Sequence, residues 1–337
     1  MSTLKLSVEL EPPNADLLLY STNKPSLATE LDGYRDLVSM ISITNRPVFG
    51  LSPVTMAKRV KDVVTNGHSK PSRICVHLTT RLSHFDFYKT ILDAHRMKLH
   101  DILPILGDPR GPKDDNYFSN GYEILGFTSY LKSGNTEVLS TKYQKMLKEN
   151  RLVNAIPDAK YKVGSVIDLN PYKISTNGAK IKIGLKQIAS AQLKENLGAE
   201  YLISQGIYDA KYYFDFIENA DLQIPIIPGV MPARLRLIEK FGIPIAPLKK
   251  QMLRAALTTK DEKIEGNRIA KEVLMDLQDG GAQYAHIYSL GRVDNFYEIT
   301  GLSRVQDQSY FEENKNSKSS FTKQSETSAQ FTQKEKS

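Results

Sequence analysis

Short apolar runs recur along most of the chain, separated by longer segments in which apolar residues return with helical period. The runs are LKLSVEL at 4–10, LVSMISIT at 37–44, RICVHLT at 73–79, DILPILG at 101–107, YKVGSVID at 161–168, AEYLISQ at 199–205, IPIIPG at 224–229 and AHIYSLG at 285–291. Several are rich in β-branched residues and apolar at successive positions, as strands covered on both faces require. Between them, SPVTMAKRVKDVVTNG after the second run and DFYKTILDAHRMK after the third read as helices. Eight such repeats predict an α/β fold of the (β/α)8 TIM barrel type rather than an open doubly wound sheet. The spacing widens between the fourth and fifth runs, and KEVLMDLQ is the last of several helices expected between the seventh and eighth, so insertions are expected in those loops.

The predicted barrel occupies residues 1–305. The remainder, 306–337, is polar, rich in serine and lysine, and without a periodic apolar face, which predicts a disordered tail. That tail carries five lysines and five acids, so the formal charge of +7 belongs to the barrel. A basic surface of this kind suits a phosphate-bearing small molecule or serves solubility, and no arginine-rich stripe with interleaved aromatics points to nucleic acid. No apolar run approaches the roughly 18 to 20 residues of a membrane span. MSTLKLSVELEPP enters a strand pattern at once, without the features of a signal peptide, so a cytoplasmic location is expected. The single cysteine, Cys75, lies in an apolar run and reads as a buried thiol.

In a barrel, chemistry gathers at the C-terminal ends of the strands. The polar residues there are Glu9 and Glu11 on the first, Thr44 and Asn45 on the second, His77 and Thr79 on the third, Gly107 and Asp108 on the fourth, Gln205 on the sixth, and Ser289 and Arg292 on the eighth. Glu9 and Glu11 share one face of their strand, about 6 to 7 Å apart. Two acids so placed among apolar neighbours are expected to raise at least one carboxyl, which then donates a proton at neutral pH; the structural alternative is one acid paired with a lysine and the other in solvent. LGDPRG at 106–111 is a glycine-containing turn by composition alone. His77, His84, Asp86, His95 and His100 lack the i, i+4 histidine spacing of a helical zinc site, so no metal is expected. No dinucleotide fingerprint, P-loop or nucleophile elbow occurs.

SVELEPP at 7–13 resembles the first-strand motif of methylenetetrahydrofolate reductases, a family of (β/α)8 flavoproteins. The resemblance continues in order through ITN at 43–45, VHLT at 76–79, ILGDPRG at 105–111, GAEYLISQGIYD at 198–209, IPIIPGVMP at 224–232 and HIYSLGR at 286–292. It implies that reduced nicotinamide, NADH or NADPH, gives hydride to a bound flavin, FAD or FMN. The flavin passes the hydride to a methylene-tetrahydropterin, whose ring opens on protonation and yields the 5-methyl form. By the same resemblance Glu9 is the catalytic acid, and Asp108 lies near flavin and pterin. Thr44, His77, Leu106 and Lys194 stand at flavin-contacting positions, Gln205 and Phe241 hold the substrate, and Arg292 faces a glutamate tail.

The chain departs from the family pattern mostly around the cofactor. Leu106 stands where an arginine is usual, Ser165 and Leu169 replace a tyrosine and histidine, Gln187 replaces an acid, and Glu11 is an additional carboxylate. The lysine-rich segment 173–186 either replaces lost phosphate contacts or is a solvated loop. Two alternatives therefore stay open: a reductase that holds the pterin without a tightly bound flavin, and a non-catalytic subunit served by an electron-donor protein. Association into a homo-oligomer is common in the family and is expected to be open here.

Overall fold

The computed structural model describes residues 4–10, 34, 36–44, 52–65, 73–80, 82–106, 117–149, 152–169, 185–240, 247–259 and 261–302. Glu11, Asn45, Gly107, Asp108, Phe241, residues 173–184 of the lysine-rich segment and the expected tail at 306–337 lie outside them.

Strands β1 (Lys5–Leu10), β2 (Val38–Ile43), β3 (Arg73–Thr79), β4 (Asp101–Ile105), β5 (Lys162–Ile167), β6 (Tyr201–Ile207), β7 (Ile226–Val230) and β8 (Tyr284–Ile287) follow the runs read from the sequence. They pair in chain order, all parallel, and β8 returns to β1 through Ser7↔His286 and Val8↔Ile287, closing the barrel. The expected (β/α)8 architecture is the observed one.

The two-residue alternation of each strand sorts its side chains. Leu6, Val8, Leu10, Ile41, Val76 and Ile102 belong to the outer core beneath the helices. Met40, Cys75, Leu103, Tyr201, Ile203 and Ile227 form a separate cluster inside the barrel. Tyr201 can lie across that interior because β5 offers Gly164 opposite it: a Cβ there would sit 2.4 Å from the tyrosine ring. Cys75 is fully buried beside the Tyr201 hydroxyl at 3.4 Å, and burial, with Asp101 nearby, pushes its thiol up to about 12. It is a packing residue, as its apolar run suggested.

Helices α1 (Pro53–Thr65), α2 (His84–Arg96), α3 (Gly121–Ser133), α4 (Thr141–Lys148), α5 (Leu185–Asn196), α6 (Lys211–Asn219), α7 (Leu235–Lys240), α8 (Pro247–Thr259), α9 (Glu262–Asp279) and α10 (Val293–Thr300) fill the connections. Their limits follow local chemistry. Ser83 caps α2 by accepting from the Asp86 amide, and Phe87, Ile91 and Ala94 repeat on the buried face. Asn120 caps α3, which ends on Gly134 in the left-handed conformation at φ 72°. Among the described residues no helix is long and apolar enough to cross a membrane.

The histidines that invited a metal reading are dispersed among other duties. His84 packs against Phe118 and bonds the Tyr143 hydroxyl at 2.7 Å through Nε2, and His100 accepts the Ile74 amide at 3.1 Å. His95 lies in the last turn of α2, where a basic group suits the helix dipole. Of these histidines, His77 is the one that comes close to Glu9.

Candidate active site

The mouth is assembled at the seam between β1 and its two neighbours. Glu9 pairs in register with Ser42 of β2, and the odd-numbered face of β1 turns Ser7 and Glu9 inward. Across the closing seam, the even-numbered face of β8 turns His286 inward, while Ala285 and Ile287 join the outer core. The Ser7 hydroxyl and His286 Nδ1 are 2.9 Å apart. On the other side of the imidazole, Nε2 stands 4.0 Å from Glu9 Oε2, beyond direct hydrogen-bond reach but within that of one bridging water. The Glu9 side chain keeps 12% of its surface accessible and that of His286 only 1%.

His77 reaches the same place from β3. It is buried, and its Nε2 has no hydrogen-bond partner among the described residues; the same holds for His286 Nε2. Burial pushes the His77 imidazole down to about 4, against the pull of the Glu9 carboxylate and with His286 adding to the fall. His77 is therefore a neutral heterocycle at neutral pH, able to offer or accept one hydrogen bond according to its tautomer. Glu9, His77 and His286 thus act on one another electrostatically in a largely buried place, as functional carboxylates often do.

A second arrangement fixes the strand end that carries Glu9. Ser289, just past β8, donates to the Glu9 carbonyl at 2.7 Å. Its own carbonyl accepts from Asn295 Nδ2 at 2.9 Å, the Asn295 side-chain oxygen accepts from Asn267 Nδ2 at 3.0 Å, and Asn267 Oδ1 accepts from Arg234 at 2.9 Å. Ser289, Asn295 and Asn267 are all buried, so α9, α10 and the loop after β7 hold β1 through a satisfied polar chain. Thr44 adds to this hold. Its amide and hydroxyl both point to the Leu10 carbonyl, at 3.1 and 3.4 Å, tying the end of β2 to the residue after Glu9.

Gln205 lies within β6 yet is exposed. By alternation it shares the inward face of Tyr201 and Ile203, at the open end of the barrel, and the β6–β7 pairing is irregular beside it, between Ile203 and Gly206. Buried Ser204 braces the distortion. Its hydroxyl accepts from the Gly229 amide and donates to the Gln205 carbonyl, each at 2.7 Å, while its carbonyl accepts from Tyr288 at 2.8 Å. The Tyr288 ring meets that of His286 edge-on at 4.5 Å, which links Gln205 to the Glu9 side of the mouth. Burial first, then the Glu9 carboxylate, raises the Tyr288 hydroxyl well above its ordinary range, so it stays protonated.

The remaining expected residues are placed differently. Lys194, on α5, donates to the Val166 carbonyl at 2.6 Å and stands 5.7 Å from the centre of the Tyr122 ring, outside the Glu9 cluster. Burial pushes its ammonium down to about 8, partly offset by Asp168. Leu106 follows β4 and is 61% exposed. Arg292 is exposed at the start of α10, close enough to Arg234 that the two like charges disfavour one another. Asp108 and Phe241 lie outside the described residues.

The sequence reading passed over His286, Ser7, Tyr288, Asn267 and Asn295, although HIY in AHIYSLG carries the signal. His286 and Tyr288 are two apart, as Glu9 and Glu11 are, so one inward face was available by the same period-two argument.

Compared with known proteins, the chain matches no curated protein. Among solved structures it is similar to 2,3-dimethylmalate lyase, a member of the PEP mutase/isocitrate lyase superfamily, in two crystal forms. The triclinic form aligns with 11% identity over 83% of this chain and 95% of the other at a TM-score of 0.38. The trigonal form gives 10% identity, 83% and 92% coverage and a TM-score of 0.36. The family described as Methylenetetrahydrofolate reductase matches residues 59–303, from within α1 to beyond α10, so that β1 and β2, with Glu9 and Thr44, precede the matched span. With a match over most of its length and the closed parallel barrel to support it, the chain belongs to the methylenetetrahydrofolate reductase family.

Proposed function

We propose that the protein reduces 5,10-methylene-tetrahydrofolate, or a related methylene-tetrahydropterin, to the 5-methyl form, with Glu9 as general acid. Membership in the family is the frame for this reading. The observation that carries the assignment of Glu9 is its position: a partly accessible carboxyl at the C-terminal end of β1, with His286 Nε2 at 4.0 Å behind it.

Opening the five-membered ring of the substrate requires a proton on the leaving nitrogen as its bond to the methylene carbon breaks, which leaves an iminium that takes up hydride. Glu9 gives that proton and becomes a carboxylate. The imidazole of His286 is then placed to restore it, through one water or a small side-chain rotation across the 4.0 Å gap. The Ser7 contact at 2.9 Å orients that imidazole. Exposed Gln205, with a donor and an acceptor on one amide, suits the edge of a pterin ring.

A flavin fits the same mouth at its ring edge. His77 offers a neutral ring nitrogen without a partner among the described residues. When bound, FAD would supply the two-electron link between NAD(P)H and the pterin. His77 would contribute one hydrogen bond to it and Thr44 would keep the strand ends in place beside it.

The test has two parts. Glu9→Gln is expected to lower reduction of the methylene substrate by about 100-fold or more, while oxidation of nicotinamide through the flavin persists; a variant that reduces substrate at the normal rate removes Glu9 from the mechanism. The visible spectrum of the purified protein tests the flavin separately. Leu106, exposed and apolar where the family has a cation, favours a second reading in which hydride comes directly from a reduced nicotinamide or deazaflavin. Absence of flavin bands after reconstitution with FAD or FMN, with turnover retained, would establish that second reading.

A further inference from the structure

At the opposite end of the barrel from Glu9 lies a cleft of about 850 Å3, inside the roughly 300–1,000 Å3 range of small-molecule sites. It is formed where α2 ends, β3, β4 and β5 begin, and α1 passes alongside. Six basic side chains and one carboxylate, Asp158, line it. Three of the six have local explanations. Arg73 is paired with buried Asp101, Arg96 stands 3.6 Å from Asp93, and Lys61 donates to the carbonyls of Met97 and Lys98 at 2.9 and 3.0 Å, closing the end of α2.

Lys98 and Lys160 are not accounted for in this way: no ion pair holds either of them among the described residues, whereas Lys162 is close enough to the buried Asp101 carboxyl to pull it down. Lys98 sits at φ 53°, a left-handed conformation that costs a non-glycine residue about 1 kcal/mol. The Leu99 amide returns to the Ala94 carbonyl across it at 3.0 Å. The cations also act against one another. Lys61 is held below the ordinary lysine range by burial and then by Lys98, and His100 is held down by burial, Lys61 and Arg73. Concentrated like charge in a concavity is unfavourable by itself and favourable only towards an anion.

The walls also restrict the ligand. Leu99 and Tyr161 are buried in the cleft wall, so the surface a ligand meets is mainly that of the basic side chains, their carbon stems included. Compact ammonium groups around an open space act as point charges that several phosphate oxygens can share at once.

We propose that this cleft binds a polyphosphate group, as a site separate from the barrel mouth. Inorganic tripolyphosphate is the probe, titrated by calorimetry into the full-length protein at low ionic strength. The expected result is saturable binding with one molecule per chain. Lys98→Met with Lys160→Met should weaken it by about tenfold or more, since two charged contacts are lost, and Lys98→Glu with Lys160→Glu should abolish it. Circular dichroism checks that each variant is folded, and the methionine pair suffices if the glutamate pair is not. The proposal is overturned if no saturable binding occurs, if the methionine pair binds as tightly as the unaltered chain, or if an oligoglutamate peptide of equal charge binds as tightly as tripolyphosphate.

Discussion

At the N-terminal end of the barrel, buried Asp101 is gripped by Arg73 through Nε at 2.9 Å and through Nη2, whereas at the C-terminal end the equally buried His77 and His286 each keep a ring nitrogen unbonded among the described residues. Buried polar groups are ordinarily satisfied, and the exceptions call for a reason. In a barrel whose N-terminal face serves stability and whose C-terminal face serves chemistry, the reason is positional. The Arg73–Asp101 pair spends its hydrogen bonds on the fold, and the histidines keep theirs for what enters the mouth.

The contrast can be broken most forcefully at the stable end. Arg73→Ala would take both hydrogen bonds from the buried Asp101 carboxylate and leave it only the pull of Lys162; a fully buried pair loses about 3–5 kcal/mol in this way, an upper bound here because Arg73 is 40% exposed. Burial already pushes the Asp101 carboxyl up against the opposing pull of Arg73. Urea unfolding measures this loss; a change below about 1 kcal/mol would place the pair among surface contacts of little weight.

At the mouth the comparable effect depends on pH. The folded state holds the His77 imidazole near 4, below its ordinary 6.5, so the unfolded chain binds the additional proton between those values. The stability that neutral His77 confers is therefore complete above about pH 6.5 and is lost as pH falls towards 4, by about 3 kcal/mol in all. His77→Leu should flatten that part of the stability profile. An unaltered slope in the variant would assign the acid sensitivity to other groups.

Smaller changes sharpen the division within the mouth itself. His286→Gln is expected to slow reduction of the methylene substrate by about tenfold, with KM unchanged, if reprotonation of Glu9 passes through the imidazole; the pH–rate profile should change with it. A rate equal to that of the unaltered chain would restrict His286 to packing. Ser289→Ala removes only the hydrogen bond to the Glu9 carbonyl, for a loss of about 1 kcal/mol in stability. A larger fall in kcat than in stability would show that the polar chain from Arg234 positions Glu9 for its reaction.

Two strands show where reading by period succeeds and where it stops. The run at 199–205 is the body of β6, but the strand continues to Ile207 because the irregularity after Ile203 lets pairing with β7 resume at Gly206. The run at 285–291 ends as a strand at Ile287, because Leu290 and Gly291 adopt φ values of 51° and 71° and turn the chain into α10. Apolar alternation reports which face is covered and is silent about a bulge or a left-handed turn. Gln205 stands on the inward face that alternation gives Tyr201 and Ile203, and the irregularity in the pairing beside it could not be read from the run.

What one-dimensional order conveyed here is whatever has a local cause. Strand alternation, the apolar burial of Cys75 and the position of Glu9 at the end of its strand all depend on neighbours a few residues away. The company Glu9 keeps has no such cause. Ser7 and His286 bond across 279 positions and Ser289 reaches the Glu9 carbonyl across 280, contacts that exist only because the eighth strand closes on the first. Barrel closure sets the register of those two strands, and the register decides which side chains share the interior with the proposed acid.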